Sequence, residues 1–256
     1  MSPAKPDIVT AAVLVIGDEI LSGRTKDKNI GYIAEYLTAI GIDLKEVRVV
    51  SDDEPEVVAA IDALRKRYTY LFTTGGIGPT HDDITADCVA KALNAPLEFH
   101  PEAVAIMKER TAKMGGELNE ARMRMTRIPK GGALVANKVS GAPGFWIENV
   151  IVMAGIPAVM QGMLDEVAPK LKTGVKMLSA SVRADAKEGD VGGALGLVAK
   201  AHPDTIIGSY PFVDEAGAPN TNIVVRSRDA AKLAEAQAAV EAMLVKVKAD
   251  MAANAD

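Results

Sequence analysis

The first 74 residues alternate in a way that leaves few folds open. Residues 9–17 are an apolar run rich in Val and Ile, too short for a buried helix and suited to a strand covered on both faces. Residues 29–40 switch to helical spacing, with Ile30, Ile33, Ala34, Leu37 and Ile40 on one face, and Gly41 ends that helix. Residues 42–50 read as a second strand. Ser51-Asp52-Asp53-Glu54-Pro55 joins N-cap residues to a proline suited to a first helical turn. The helix that follows turns Val57, Ile61 and Leu64 inward, and residues 70–74 make a third strand. Strand, helix, strand, helix, strand is the order of a parallel sheet with helices on both faces. The expectation is a three-layer α/β domain with a mostly parallel sheet.

Two helical patterns follow at residues 101–113 and 117–126, then short apolar pieces at 133–136, 145–147 and 150–153. These are expected as later strands of the same sheet, some of them antiparallel, because residues 145–153 leave no room for a crossover. A helix at 156–168 and a linker at 169–174 close the first domain, taken as residues 8–170. Beyond it the pattern becomes strand (176–183), helix (190–201), strand (205–210), strand (222–227) and helix (230–249), with a hairpin turn at 214–220. This second domain, residues 175–252, is expected to be a small α+β module.

A chain of 256 residues that is 48% apolar has enough material for a proper core. Its net charge of −5 argues against a nucleic-acid partner, which calls for an excess of Lys and Arg. Residues 1–7 lack a signal-peptide pattern, and no apolar run approaches the ~20 residues needed to span a bilayer. A cytoplasmic protein with no membrane partner is expected. The one cysteine, Cys88, excludes an internal disulfide and sits near the apolar face of a helix, as a structural thiol does.

Parallel sheets bind ligands at the carboxyl ends of their strands. Three loops fall there, at residues 17–29, 51–54 and 75–83, and all carry Asp, Glu, Ser or Gly. The third is the run Thr73-Thr74-Gly75-Gly76-Ile77-Gly78-Pro79-Thr80-His81-Asp82-Asp83-Ile84-Thr85. Its glycines let the backbone turn tightly and present N–H groups ahead of a helix, which attracts phosphate. Asp82 and Asp83 follow where a phosphate-bound divalent metal needs hard oxygen ligands; the alternative is that they only cap the helix. Asp52 is open to the same pair of readings. Glu19 lies between a strand end and a helix, and Asn29 suits an N-cap or a ligand contact. Ser22 and Thr80 can donate hydroxyls to phosphate or close turns. Arg24, Lys26, Lys28, Arg122 and Lys138 are the pool of phosphate-neutralising cations. His81 could serve as a general base, but a partly exposed loop histidine is more often incidental, and His100 and His202, each followed by proline, read as turn residues; three scattered histidines make no zinc site.

Several stretches resemble a known family. Gly17-Asp18-Glu19-Ile20-Leu21-Ser22-Gly23, Asp27-Lys28-Asn29, Thr74 through Asp83, Asn119-Glu120-Ala121-Arg122-Met123 and Asn137 through Phe145 are similar to the molybdopterin-binding domain of the MoaB/MogA type. They are closer to the N-terminal part of competence/damage-inducible protein CinA. The resemblance covers residues 8–170, and the tail resembles the KH-like module that follows in CinA. It implies a molybdopterin-binding-like fold and a phosphorylated pterin or nucleotide as ligand, with molybdopterin itself possible. It implies catalytic roles for Asp83 and Asp52, a divalent metal (Mg, Mn or Co) on Asp83 and Asp82, and ligand binding by Gly17, Glu19, Ser22, Asn29, Thr74, Gly75, Gly76, Gly78 and Thr80. The activity implied is hydrolysis of a nucleotide pyrophosphate bond in an ADP-ribose- or FAD-like molecule. The alternatives are nucleotidyl transfer to molybdopterin in molybdenum cofactor biosynthesis, or binding without catalysis. The chain stops where CinA begins its amidase domain, so deamidation is not expected. A homo-oligomer is expected. One departure stands out: Ala154-Gly155-Ile156-Pro157 replaces the Pro-Gly-x-Pro turn of many relatives. In the tail, Gly189-Asp190-Val191-Gly192 has the Gly-x-x-Gly form of a KH loop. Residues 174–256, however, hold 9 Lys/Arg against 11 Asp/Glu, and a nucleic-acid clamp is not expected.

Overall fold

The computed structural model describes residues 7–253; the N-terminal stretch whose composition lacks a signal-peptide pattern lies, but for Asp7, outside them. Two compact units meet at the bond between Gly174 and Val175. The first unit runs β1 (Val9–Ile16), α1 (Asp18–Leu21), α2 (Asn29–Ala39), β2 (Ile42–Val50), α3 (Glu54–Arg67), β3 (Tyr70–Thr74), α4 (Thr85–Ala92), β4 (Leu97–Phe99) and α5 (Pro101–Lys113). It continues through α6 (Glu120–Arg124), β5 (Arg127–Pro129), β6 (Ala133–Val135), β7 (Gly144–Ile147), β8 (Val150–Met153) and α7 (Pro157–Val167).

The sheet has the order β2-β1-β3-β8-β7-β6. The first four strands are parallel, and β7 and β6 are antiparallel, as the tight spacing between β7 and β8 requires. β1 explains the layering. Its side chains alternate, so Val9, Ala11, Val13 and Val15 enter one core with Ile33, Leu37, Met160 and Leu164 of α2 and α7. Ala12, Leu14 and Ile16 enter the opposite core with Ile61, Leu64, Cys88 and Val89 of α3 and α4. A strand buried on both faces needs apolar residues at every position, which is why its sequence shows no polar alternation. Each fully buried Leu or Ile contributes about 1.5–3 kcal/mol. Cys88 belongs to this interior: burial, helped by Glu54 and Asp87, pushes its thiol pKa up to about 12.

β1 has β2 on one side and β3 on the other. The connection through α2 therefore covers one face and that through α3 the other, and a crevice opens between the carboxyl ends of β1 and β3. Three local differences from the sequence reading stand out. The cap of α3 is Asp53, whose carboxylate accepts the Glu56 N–H, which frees Asp52 for another contact. The two-stranded β4–β5 sheet has no sequence signal, because three residues per strand carry no period. Here the helix read over residues 117–126 shrinks to α6, capped by the Asn119 side chain.

The second unit is β9 (Leu178–Arg183), α8 (Glu188–Ala201), β10 (Ile206–Val213), β11 (Pro219–Ser227) and α9 (Ala230–Ala253), with the antiparallel order β10-β11-β9. Val191, Leu195, Ile223, Val225, Val240 and Leu244 form its core. The hairpin turn winds around the Asp214 carboxylate, which accepts the N–H groups of Ala216 and Ala218. The Gly-x-x-Gly at 189–192 lies within the first turns of α8 rather than on an open loop. No helix among the described residues is long and apolar enough to cross a membrane.

Candidate functional site

The glycine loop after β3 is wound around one carboxylate. Asp83 accepts hydrogen bonds from the Gly78 N–H at 2.6 Å, the Thr80 N–H at 2.8 Å and the Thr80 hydroxyl at 2.5 Å. A Cβ on Gly78 would stand 2.6 Å from Asp83 Oδ2, so glycine is what lets the backbone close on the acid. Gly75, with φ +101°, passes so near the Ile16 carbonyl that a side chain there would collide with β1. Thr85, at the start of α4, ties the two ends together: its hydroxyl donates to the Gly75 carbonyl and its N–H to the Gly76 carbonyl. The phosphate cradle expected across residues 75–80 is accordingly narrower. The N–H of Gly75 donates to the Met153 carbonyl, and those of Gly78 and Thr80 to Asp83. The N–H groups of Gly76 and Ile77 make no hydrogen bond among the described residues. Asp83, expected as a metal ligand, has both oxygens committed to its own loop.

Two further segments build the walls. After β1, Glu19 folds back over the Cα of Gly17, and α1 brings Asp18 to the end of β2. After β8, Ala154 to Pro157 passes beside the glycine loop, and the Gly155 carbonyl accepts the Asn29 amide at 2.8 Å. Asn29 is buried at the start of α2, where the Asp27 carboxylate caps the helix by accepting the Asn29 and Ile30 N–H groups. Its Oδ1 is buried without a partner, as are the hydroxyl oxygens of Thr73 and Thr74 at the end of β3. Opposite, Asn137 holds the turn that precedes β7: its Oδ1 accepts from Val139 and Ser140, and its amide donates to the Ala142 carbonyl.

These segments enclose a cleft of about 500 Å³ that contains Glu19, Gly75, Gly76, Gly78 and Asp83, with Asn137, Ser140, Gly155, Ile156 and Val159 on its far walls. A pocket of ~300–1,000 Å³ suits a small ligand. Asp52 is not in it. Asp52, Asp82 and Ser22 line a neighbouring open cleft together with Asp18 and Arg24, and Glu19 is the residue that lines both. Thr80 and His81 face a third cavity on the other side of the loop. The loops after β1 and β3 therefore share one cleft with the turn after β8, and the loop after β2 serves the adjoining one. Asn137, Ser140 and Gly155 are among the cleft-lining residues to which the sequence reading assigns no site role. Asn137 and Ser140 stand in the stretch that carried the family resemblance, and an asparagine followed by small residues and glycines was the available signal.

Asp52 accepts the Asp18 N–H at 2.9 Å. Burial nevertheless raises its pKa, with Asp18, Glu19 and Asp82 adding repulsion. The acids of this cleft suit a hard divalent cation in kind. Among the described residues, however, no group of three or more His, Cys, Asp or Glu is assembled to hold a metal ion. A cation there would need oxygens from its ligand to complete its shell.

Comparison with known proteins accords with this architecture. Residues 12–173 match the family model described as a probable molybdopterin binding domain, and residues 176–251 match that of the FAD synthase middle domain. A protein of Caldivirga maquilingensis is 40% identical over 166 residues, which take in 63% of this chain and 65% of that protein. One of Pyrobaculum calidifontis is 31% identical over 247 residues, 93% of this chain and 94% of its own length. Among solved structures, CinA of Thermoplasma acidophilum, a protein of unknown function, superposes with a TM-score of 0.60 at 31% identity, covering 64% of this chain and 98% of that one.

Two predictions follow from the hydrogen bonds and charges. In Asp83→Asn, one amide oxygen cannot serve both Gly78 and Thr80, and the new NH₂ faces an N–H donor. The variant should lose about 1–3 kcal/mol in urea unfolding, and unchanged stability would show that the carboxylate does not hold the loop. Asp52 has a raised folded-state pKa, so its contribution favours the fold only while it is protonated and is lost as pH rises through that pKa. Asp52→Asn keeps an acceptor for Asp18 and removes the charge. Its melting temperature should exceed that of the parent at pH 7 and match it in acid, below the usual carboxylate range; a lower value at pH 7 would reverse the sign of the argument.

Proposed function

The chain belongs to the family of molybdopterin-binding domains, and we propose that it binds a phosphorylated pterin- or nucleotide-like molecule in the main cleft and hydrolyses a nucleotide pyrophosphate bond there. The observation that carries the reading is the junction at Glu19. It joins a cleft floored by a braced glycine loop to one lined by the carboxylates of Asp18, Asp52 and Asp82. The N–H groups of Gly76 and Ile77, set ahead of α4, receive a phosphate of the ligand. Asp52, Asp82 and Asp18 face the adjoining side, where a divalent cation would be held jointly by protein and ligand oxygens. When bound, it neutralises phosphate charge and makes water a better nucleophile.

The chain's own residues do the rest. Asp83 keeps the loop in its bound shape before the ligand arrives, so no ordering cost falls on binding. Glu19 reaches the junction and takes the proton as water attacks phosphorus. One P–O–P bond breaks, one P–O bond forms to the water oxygen, and two phosphate monoesters leave. The absence, among the described residues, of a ready set of three metal-ligating side chains favours a second reading, binding without turnover.

Incubation with ADP-ribose, FAD, NAD or ATP, each with Mg, Mn or Co, should release AMP from at least one pyrophosphate-linked nucleotide. Glu19→Gln should lower that turnover about 10²-fold or more with the melting temperature unchanged. Stoichiometric binding with no AMP across the metal panel would replace hydrolysis by the second reading.

A further inference from the structure

A second concave surface lies beyond the glycine loop. It is a cavity of about 490 Å³ whose lining includes Pro79, His81, Phe99, Glu120, Met123 and Arg124. Phe99 ends β4, and the pairing of β4 with β5 sets it opposite Arg127. The residue is 55% exposed, so an aromatic residue stands partly in water at a cavity wall, a position that pure core packing does not explain. The two arginines nearby differ. Arg127 is neutralised by a two-pronged pair with Asp87, at 2.9 and 2.7 Å. Arg124 makes only long contacts, 3.4 Å to the Asp83 carbonyl and 3.7 Å to Asp87. Arg124 also lines the narrow gap that leads to Gly76, Gly78 and Asp83. It therefore stands between this cavity and the glycine loop.

We propose that this cavity is the site for the heteroaromatic base of a nucleotide: the base stacks on Phe99, and its phosphates run under Arg124 toward the glycine loop. An exposed ring in a hollow offers the π-face that every base can use. Met123 and Pro79 give apolar walls, and Glu120 offers an acceptor to a base that carries an amino group, such as adenine. Arg124 supplies the planar donor fork that matches phosphate, with little internal pairing to give up. With the base on Phe99, the main cleft is left to the second head of a dinucleotide-like ligand. Placement of the second head rests on the function proposed above; placement of the base on Phe99 does not.

Calorimetry on the full chain separates the two ideas, with AMP as probe. Phe99→Ala should bind AMP about 10-fold or more weaker, and Phe99→Tyr, which keeps the ring, should stay within about three-fold of the parent. Neither should shift the melting temperature much, since the residue is already partly exposed. Ile156→Glu blocks the main cleft at a residue that is 64% exposed. It should leave AMP affinity within about two-fold and abolish the gain in affinity from AMP to ADP-ribose, as loss of one of two linked heads requires. AMP affinity unaffected by Phe99→Ala, or no AMP binding by the parent, overturns the inference. AMP binding lost in Ile156→Glu and kept in Phe99→Ala also overturns it, while leaving ligand binding in the main cleft intact. Phe99-dependent AMP binding without any turnover supports the inference and removes the hydrolytic reading alone.

Discussion

Asp83 takes three donors from two residues of its own loop, Gly78 and Thr80, and the shape of the cleft follows from that closure. A loop of three glycines is costly to order, because glycine loses the most conformational freedom on folding. Here a charged acceptor offsets the cost, since hydrogen bonds to charged groups are worth about 1.5–3 kcal/mol each. Thr85 then fixes the loop to α4, and the Gly75 N–H fixes it to β8. The site wall is thus anchored to two buried elements. What looks like a flexible glycine run is a pre-shaped surface with a small number of donors left over.

The electrostatics run in the opposite sense in the two adjoining clefts. On the glycine side, carboxylate charge is absorbed by the loop's own donors. On the other side Asp52 is held above its usual range chiefly by burial, with the nearby charges of Asp18, Glu19 and Asp82 adding to the rise. A charge arrangement that disfavours the empty state is a common mark of a functional surface, although structural acids also produce it. The proposed chemistry uses both halves: donors for the ligand's phosphate, and acids for what must accompany that phosphate. Glu19 belongs to both clefts, which is why proton transfer is assigned to it.

The α/β architecture was legible in residues 9–74 because β1 is buried on both faces and its neighbours are amphipathic helices; hydrophobic periodicity reports both conditions directly. β4 and β5 were not legible, since three-residue strands carry no period, and Phe99 was hidden with them. At the site, the sequence pointed to loops at strand ends but could not say which atoms were already engaged. Asp83 and Gly78 are five residues apart, and only the closed loop shows that the acid's oxygens point back at the backbone. The separation of Asp52 from Asp83 has a similar origin. Asp53 caps α3, and Asp52 instead accepts the Asp18 N–H, in the cleft that adjoins the one holding Asp83. Neighbouring acids in a sequence compete for one cap, and tertiary contacts decide which wins.

The central claim is that Asp83 holds the loop so that the amides of Gly76 and Ile77 remain for a ligand's phosphate. Residue-resolved amide hydrogen exchange by NMR tests it most directly. In the free protein, Gly78 and Thr80 should be protected, and Gly76 and Ile77 should exchange quickly. Adding ADP-ribose should slow Gly76 and Ile77 and leave the other two little changed. Rapid exchange at all four positions in the free protein, or no response of Gly76 and Ile77 to a ligand that binds, would contradict the account.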